Sequence, residues 1–97
     1  MAQYLIMGNF TDAGIRNVKE TISRGERFKE MARECGVEVR ELMWLLGDYD
    51  VFSIAEAEDA HAVTAFLLSA GSRGFVKTCS FRAFTKDEMG AIVQKMV

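Results

Sequence analysis

The sequence predicts an α+β fold: four strands and two helices in the order βαββαβ, one further helix at the C-terminus, and an antiparallel sheet. Three observations lead there. Segments of strand length, either continuously apolar or alternating, are interleaved with stripes of helical period. Glycines and capping residues fall where one period gives way to the other. The third is scale: 97 residues without a proline, 49% hydrophobic and 27% charged, make one domain over residues 1–97, not a linker, a repeat or a disordered tail.

Gln3 to Asn9 reads as the first strand, an apolar run continuous enough to be buried on both faces. Thr11 or Asp12 then caps a helix whose stripe begins at Ile15, Val18 and Ile22, slips, and resumes at Phe28, Met31, Ala32 and Cys35. At the slip lies Ser23-Arg24-Gly25-Glu26, a Ser-x-x-Glu capping box. The helix is therefore expected to kink or restart near Ser23 and to end at Gly36. Val37 to Leu46 alternates, with Val37, Val39, Glu41, Met43 and Leu45 on one side and Trp44 and Leu46 among those on the other. Only Gly47-Asp48 separates this from the next strand, Tyr49 to Ala57. A two-residue loop of that kind suits a type II′ turn, with glycine supplying the positive φ. Asp59 caps a helix carrying Val63, Phe66, Leu67 and Ala70 on one buried stripe, with Gly71 and Gly74 at its end. Phe75 to Phe84 is the fourth strand. Thr85-Lys86-Asp87-Glu88 is a second capping box, opening a helix with Met89, Ile92, Val93 and Met96 on one face. These elements assemble most simply as a ferredoxin-like sandwich, two helices on one face of the sheet.

A sheet covered on one side by helices ordinarily carries polar residues on the other. Here both faces hold large apolar groups in either register: Leu5 and Met7 against Tyr4 and Ile6, Met43 and Leu45 against Trp44 and Leu46, Phe81 against Phe84. Left wet, they would exceed the apolar patch that monomers tolerate. Covering ~600 Å² of apolar area per copy at ~25 cal/mol per Å² is worth on the order of 15 kcal/mol before association costs. The expected partner is a second copy, in a homodimer or higher homo-oligomer with sheets stacked face to face, unless the last helix folds back over the sheet.

The hairpin "LLGDYDVFSIAEAED" resembles the signature of the GYD-domain family: Gly47, one variable residue, Tyr49-Asp50, then an apolar strand ending in Glu56-Ala57. "TDAGIRNVKE" at the first helix and "FRAFTKDEM" across the fourth strand and last helix extend the resemblance over essentially the whole chain. It implies the dimeric α/β-barrel variety of the ferredoxin-like fold and brings no activity with it.

Residues able to do chemistry are few. Gly47 and Asp48 are explained by the turn. Tyr49 and Asp50, as the first two residues of a strand, point to opposite faces and make no acid pair. Tyr49 is expected as a half-buried aromatic whose functional reading is a hydroxyl donor to a ligand, and Asp50 as an acceptor of backbone N–H groups. An inward Arg82 would be a candidate anion binder, with Lys77 facing the other way, although exposure of both is the plainer reading. Trp44, Tyr49, Asp50 and Arg82 are the candidate ligand contacts. His61 is the single histidine and Cys35 and Cys79 lack a Cys-x-x-Cys companion, so no metal and no cofactor are expected, and both thiols are expected free and buried. No Gly-x-Ser-x-Gly or Cys-His signal names a catalytic residue.

"LIMGNF" and "RGFVKTCSF" superficially match the RNA-contacting motifs of RNA-recognition domains. The second, however, lies on strand four where strand three is required, and a net charge of −2 offers no basic face, so no nucleic-acid partner is expected. No run approaches the ~20 apolar residues of a spanning helix. Tyr4-Leu5-Ile6-Met7 is too short for a signal peptide, so the expected location is the cytoplasm, with no membrane partner. Two functions stand open. One is a small non-catalytic homo-oligomeric module, with a small apolar ligand as an option. The other is a cofactor-independent, monooxygenase-like enzyme acting on a small aromatic or polyketide-like substrate, which would have to rely on substrate reactivity and shape.

Overall fold

The computed structural model, which describes Met1 to Val97, places β1 (Ala2–Phe10) inside a four-stranded antiparallel sheet. The other strands are β2 (Val37–Trp44), β3 (Val51–Ala57) and β4 (Val76–Ala83), in the order β2-β3-β1-β4. Between the strands lie α1 (Asp12–Arg16), a 3-10 turn (Val18–Glu20), α2 (Thr21–Glu34) and α3 (Ala60–Ser72), and α4 (Lys86–Gln94) follows β4. The fold is α+β and ferredoxin-like, as the periodicities predict.

The pleat divides the sheet cleanly. Tyr4 and Ile6 of β1, Val37 of β2 and Ala55 and Ala57 of β3 turn towards the helices, where Ala32 of α2 and Val63 and Phe66 of α3 close the core over them. Phe28 of α2 meets Phe66 at 4.6 Å between ring centroids, a tilted aromatic pair. Ser53 shares this face, and its buried hydroxyl has no hydrogen-bond partner. Only twelve of the 97 residues are buried, so this layer cannot absorb the apolar half of the chain.

Three local expectations hold because each is an interaction over three residues. The Thr11 hydroxyl accepts from Gly14 N–H at 3.0 Å, the Asp59 carboxylate accepts from Ala62 N–H at 3.0 Å, and Thr85 with Glu88 forms both bonds of the capping box. Thr11 also donates to the Gly74 carbonyl at 2.6 Å, which ties the start of α1 to the residues before β4. Gly14 belongs to this junction: a Cβ there would lie 2.0 Å from the Phe75 carbonyl oxygen.

Four expectations are corrected. The first helix breaks earlier than Ser23, at Asn17 and the 3-10 turn. Ser23 sits inside α2 and donates to the Glu20 carbonyl at 2.9 Å instead of capping. In β2 a bulge between Val39 and Glu41 shifts the register, so Leu42 and Trp44 face the helices while Met43 pairs with Phe52 on the far side. The hairpin connection is six residues long, Leu45 to Asp50, closed by Leu45 N–H donating to the Asp50 carbonyl at 2.8 Å; β3 begins only at Val51. Gly47 keeps its positive φ of +150°, although the tight two-residue turn is absent. Finally, α3 runs through Gly71 to Ser72, and the positive φ falls on Gly74 alone.

Candidate functional site

The face of the sheet away from α2 and α3 is the most conspicuous surface. Across its middle run Met43, Phe52, Met7 and Cys79, and beside them Glu41, Ile54, Leu5 and Phe81. Met43 and Phe81 are about half exposed, at 50% and 51%. Polar groups rim the patch: Arg40 pairs with Glu56 at 2.6 Å towards one end, and Lys77 lies towards the other. The hydrogen bond from Arg40 to Glu56, with the attraction between their charges, holds the guanidinium above its ordinary value. The last helix does not cover this face. α4 has no extensive packing against another element, and the chain reaches 51 Å in its longest dimension against 18 Å in its shortest. Its Met89, Ile92, Val93 and Met96 stay exposed. A hydrogen bond and ion pair from Arg82 to Glu88 at 2.8 Å anchor its first turn, and this pair, with the Thr85 N–H, lowers the Glu88 carboxyl to about 2.

The hairpin loop folds against the end of β1. The Asp50 carboxylate accepts from Phe10 N–H at 2.9 Å and its own N–H donates to the Gly8 carbonyl at 2.9 Å. The acidic residue of the Tyr-Asp pair is therefore a strand anchor, which is why the loop is wider than a two-residue turn. Tyr49 is carried to β4, where the Cys79 thiol lies 3.9 Å from its hydroxyl. That interaction, followed by partial burial and the Asp48 charge, raises the phenol above its ordinary value. Cys79 is thus exposed on the sheet, not buried as expected, while Cys35 is half-buried; both thiols are free.

The four candidate ligand residues do not gather into one site. Trp44 is under α2, its indole N–H donating to the Thr21 hydroxyl at 2.9 Å, and Gly25 passes just above it. Tyr49 and Asp50 sit at the far end of β1. Arg82 pairs with Tyr4 near the opposite end, its guanidinium 4.6 Å from the Phe84 ring centroid and engaged by Glu88. No three His, Cys, Asp or Glu side chains gather closely enough to hold a metal ion.

A cavity between helices and sheet is one of the places where the sequence allows a small ligand, but its residues could not be named: the cleft, of about 330 Å³, lies between α2, α3 and the start of β4, lined by Phe28, Met31, Ala70, Phe75 and Val76 with charged groups beside them. A smaller apolar recess of about 90 Å³ continues it beneath Gly25 to Leu42 and Trp44. The available signal was Gly25 itself, a glycine within a helical stripe facing a bulky strand residue.

The GYD domain family pattern matches residues 4–93. A Thermus thermophilus protein described as a glutamine synthetase and cystathionine beta-lyase binding protein is 34% identical over 87 residues, covering 86% of this chain and 88% of that one. Among solved structures, MtbAldR matches with a TM-score of 0.67 at 15% identity, over 88% of this chain and 54% of that chain. LrpC of B. subtilis gives 0.60 at 13% identity, over 88% and 51%, and FFRP-DM1 gives 0.61 at 16%, over 87% and 100%. These likenesses concern the fold, and the chain spans about half the length of MtbAldR and LrpC.

Proposed function

The chain belongs to the GYD domain family, and on that premise we propose that it is a small non-catalytic binding module, working as a homodimer whose sheets stack face to face. The bare apolar sheet face carries this reading. A monomeric protein of 10.9 kDa is expected to expose about 5,600 Å², whereas this chain exposes 6649 Å². The excess of about 1,000 Å² matches what one partner contributes to a standard stable interface, about 800 Å². The radius of gyration, 14.6 Å against about 12.5 Å for a compact chain of this length, points the same way. In the dimer, Leu5, Met7, Phe52, Ile54 and Phe81 meet their counterparts, and the exposed stripe of α4 clasps the second copy.

The dimer is the scaffold on which other proteins dock. The relative described as binding glutamine synthetase and cystathionine beta-lyase supports a protein-binding role, with metabolic enzymes as the class of partner. No helix is long and apolar enough to cross a membrane, and we assign the dimer to the cytoplasm. The cleft beside α2 leaves room for a small apolar ligand, with Trp44 at its inner end. That cleft also favours the second reading, a cofactor-independent oxygenase. We rank it lower because the lining holds no histidine or cysteine, and its two carboxylates, Glu30 and Glu34, are exposed to water. Sedimentation velocity at micromolar concentration tests the main reading: a mass of two chains or more is expected, and a monomer would overturn it.

A further inference from the structure

At about 330 Å³, the cleft between α2, α3 and β4 sits at the lower end of the range for small-molecule sites, about 300–1,000 Å³. Its wall is built from aromatic and aliphatic groups, and Phe28, Phe75 and Val76 continue into the recess that ends on Leu42 and Trp44. Gly25 keeps that passage open, since a Cβ there would stand 3.2 Å from Leu42 and 3.4 Å from the Trp44 ring.

The exposed rim has a different chemistry. Arg27, Arg73, Glu30 and Glu34 line the cleft at exposed positions, and Arg24 lines both the cleft and the recess. Arg24 is fixed in place: its guanidinium lies 4.5 Å from the Phe75 ring centroid and is held by Glu20 and the Asn17 carbonyl. The Arg73 guanidinium donates only to the Ser69 carbonyl, at 2.9 Å, and neither it nor that of Arg27 forms an ion pair. With Arg24 matched by Glu20, the guanidinium groups of Arg27 and Arg73 are the ones beside the apolar floor that no carboxylate engages. Two such donors suit a single carboxylate; a phosphate dianion would bring a second negative charge against Glu30 and Glu34.

We propose that this cleft binds a small carboxylate with an aromatic or branched apolar body, the carboxylate held at the rim by Arg27 and Arg73 and the body packed on Phe28, Phe75 and Val76. The proposal rests on the small-ligand part of the reading above and gives that ligand a charge and a site. Trp44 is the only tryptophan, so its fluorescence reports occupancy of the adjoining recess.

The full chain is titrated with phenylacetate, 3-phenylpropionate and isovalerate, with their primary amides, and with phenyl phosphate, following Trp44 emission and melting temperature. The carboxylates are expected to bind saturably, and at least about tenfold more tightly than the amides. Arg27→Gln and Arg73→Gln, both at exposed positions, are each expected to weaken the carboxylates about three- to tenfold without affecting the amides. Equal binding of amides and carboxylates would overturn the anion site while leaving a small apolar ligand in place. Tighter binding of phenyl phosphate would overturn the ligand class. No binding by any compound would remove both the site and the small-ligand reading, and leave the dimer to be judged by its mass.

Discussion

Phe81→Asp is the sharpest test of the stacked-sheet dimer. Phe81 pairs with Leu5 in the middle of the open face and lies outside the core, so its loss should leave the protomer folded. A phenylalanine offers about 200 Å² and Phe81 is 51% exposed, so about 100 Å² per copy awaits a partner. At ~25 cal/mol per Å² that is about 2.5 kcal/mol, and about 5 kcal/mol per dimer because a twofold axis places the residue in the interface twice. Roughly 1.4 kcal/mol per tenfold makes this three to four orders of magnitude in Kd, before the cost of facing two carboxylates across the axis. The assay is sedimentation velocity over a dilution series, with far-UV circular dichroism as the check on folding. Leu68→Asp, an exposed position on α3 on the other side of the molecule, is the control and should not change the mass. An oligomer that survives Phe81→Asp, or dissociates equally with Leu68→Asp, would refute the reasoning.

Asp50→Ala removes the acceptor of the Phe10 N–H and should cost about 1–3 kcal/mol in urea unfolding, with Tyr49 drawn away from Cys79 as the loop detaches; a cost under about half a kilocalorie would deny the anchoring role. Gly14→Ala gains up to about 1 kcal/mol of helix propensity. It must also push back the Phe75 carbonyl and strain the Thr11 bonds to Phe75 and Gly74, a net loss of about 2–4 kcal/mol. Gly71→Ala, with open space around it, should stabilise by about 0.5 kcal/mol, so thermal unfolding of the two variants should shift in opposite directions. The Glu88 carboxyl falls from the ordinary 4.5 to about 2 in the folded chain, so its hold on α4 is complete above the unfolded value and is lost as the pH falls from about 4.5 towards 2. Amide exchange of residues 86–94 should quicken in that window, and in Glu88→Gln the acid-induced change should vanish.

Some of the molecule was legible because its causes are local. Thr11, Asp59 and Thr85 cap helices through bonds to residues three positions on, and the stripe of Val63, Phe66 and Ala70 follows from helical period alone. The GYD signature added family and fold together. The candidate site was legible only in part. Asp50 was read as an acceptor of backbone N–H groups, but its partners, Gly8 and Phe10, lie some forty residues away, so the width of the loop was not.

The amino-acid order by itself determined the succession of strands and helices, their caps, and the surplus of apolar side chains, since period and short-range hydrogen bonding are properties of neighbours along the chain. Tertiary structure alone decided which face each residue of β2 takes, because one extra residue at the bulge turns Trp44 inwards and leaves Met43 outside. It also decided that α2 passes over Trp44 at Gly25 closely enough to shape a recess, and that Arg73, at the end of α3, joins Arg24 and Arg27 of α2 around one cleft. Those are matters of distance between segments, which no local pattern encodes.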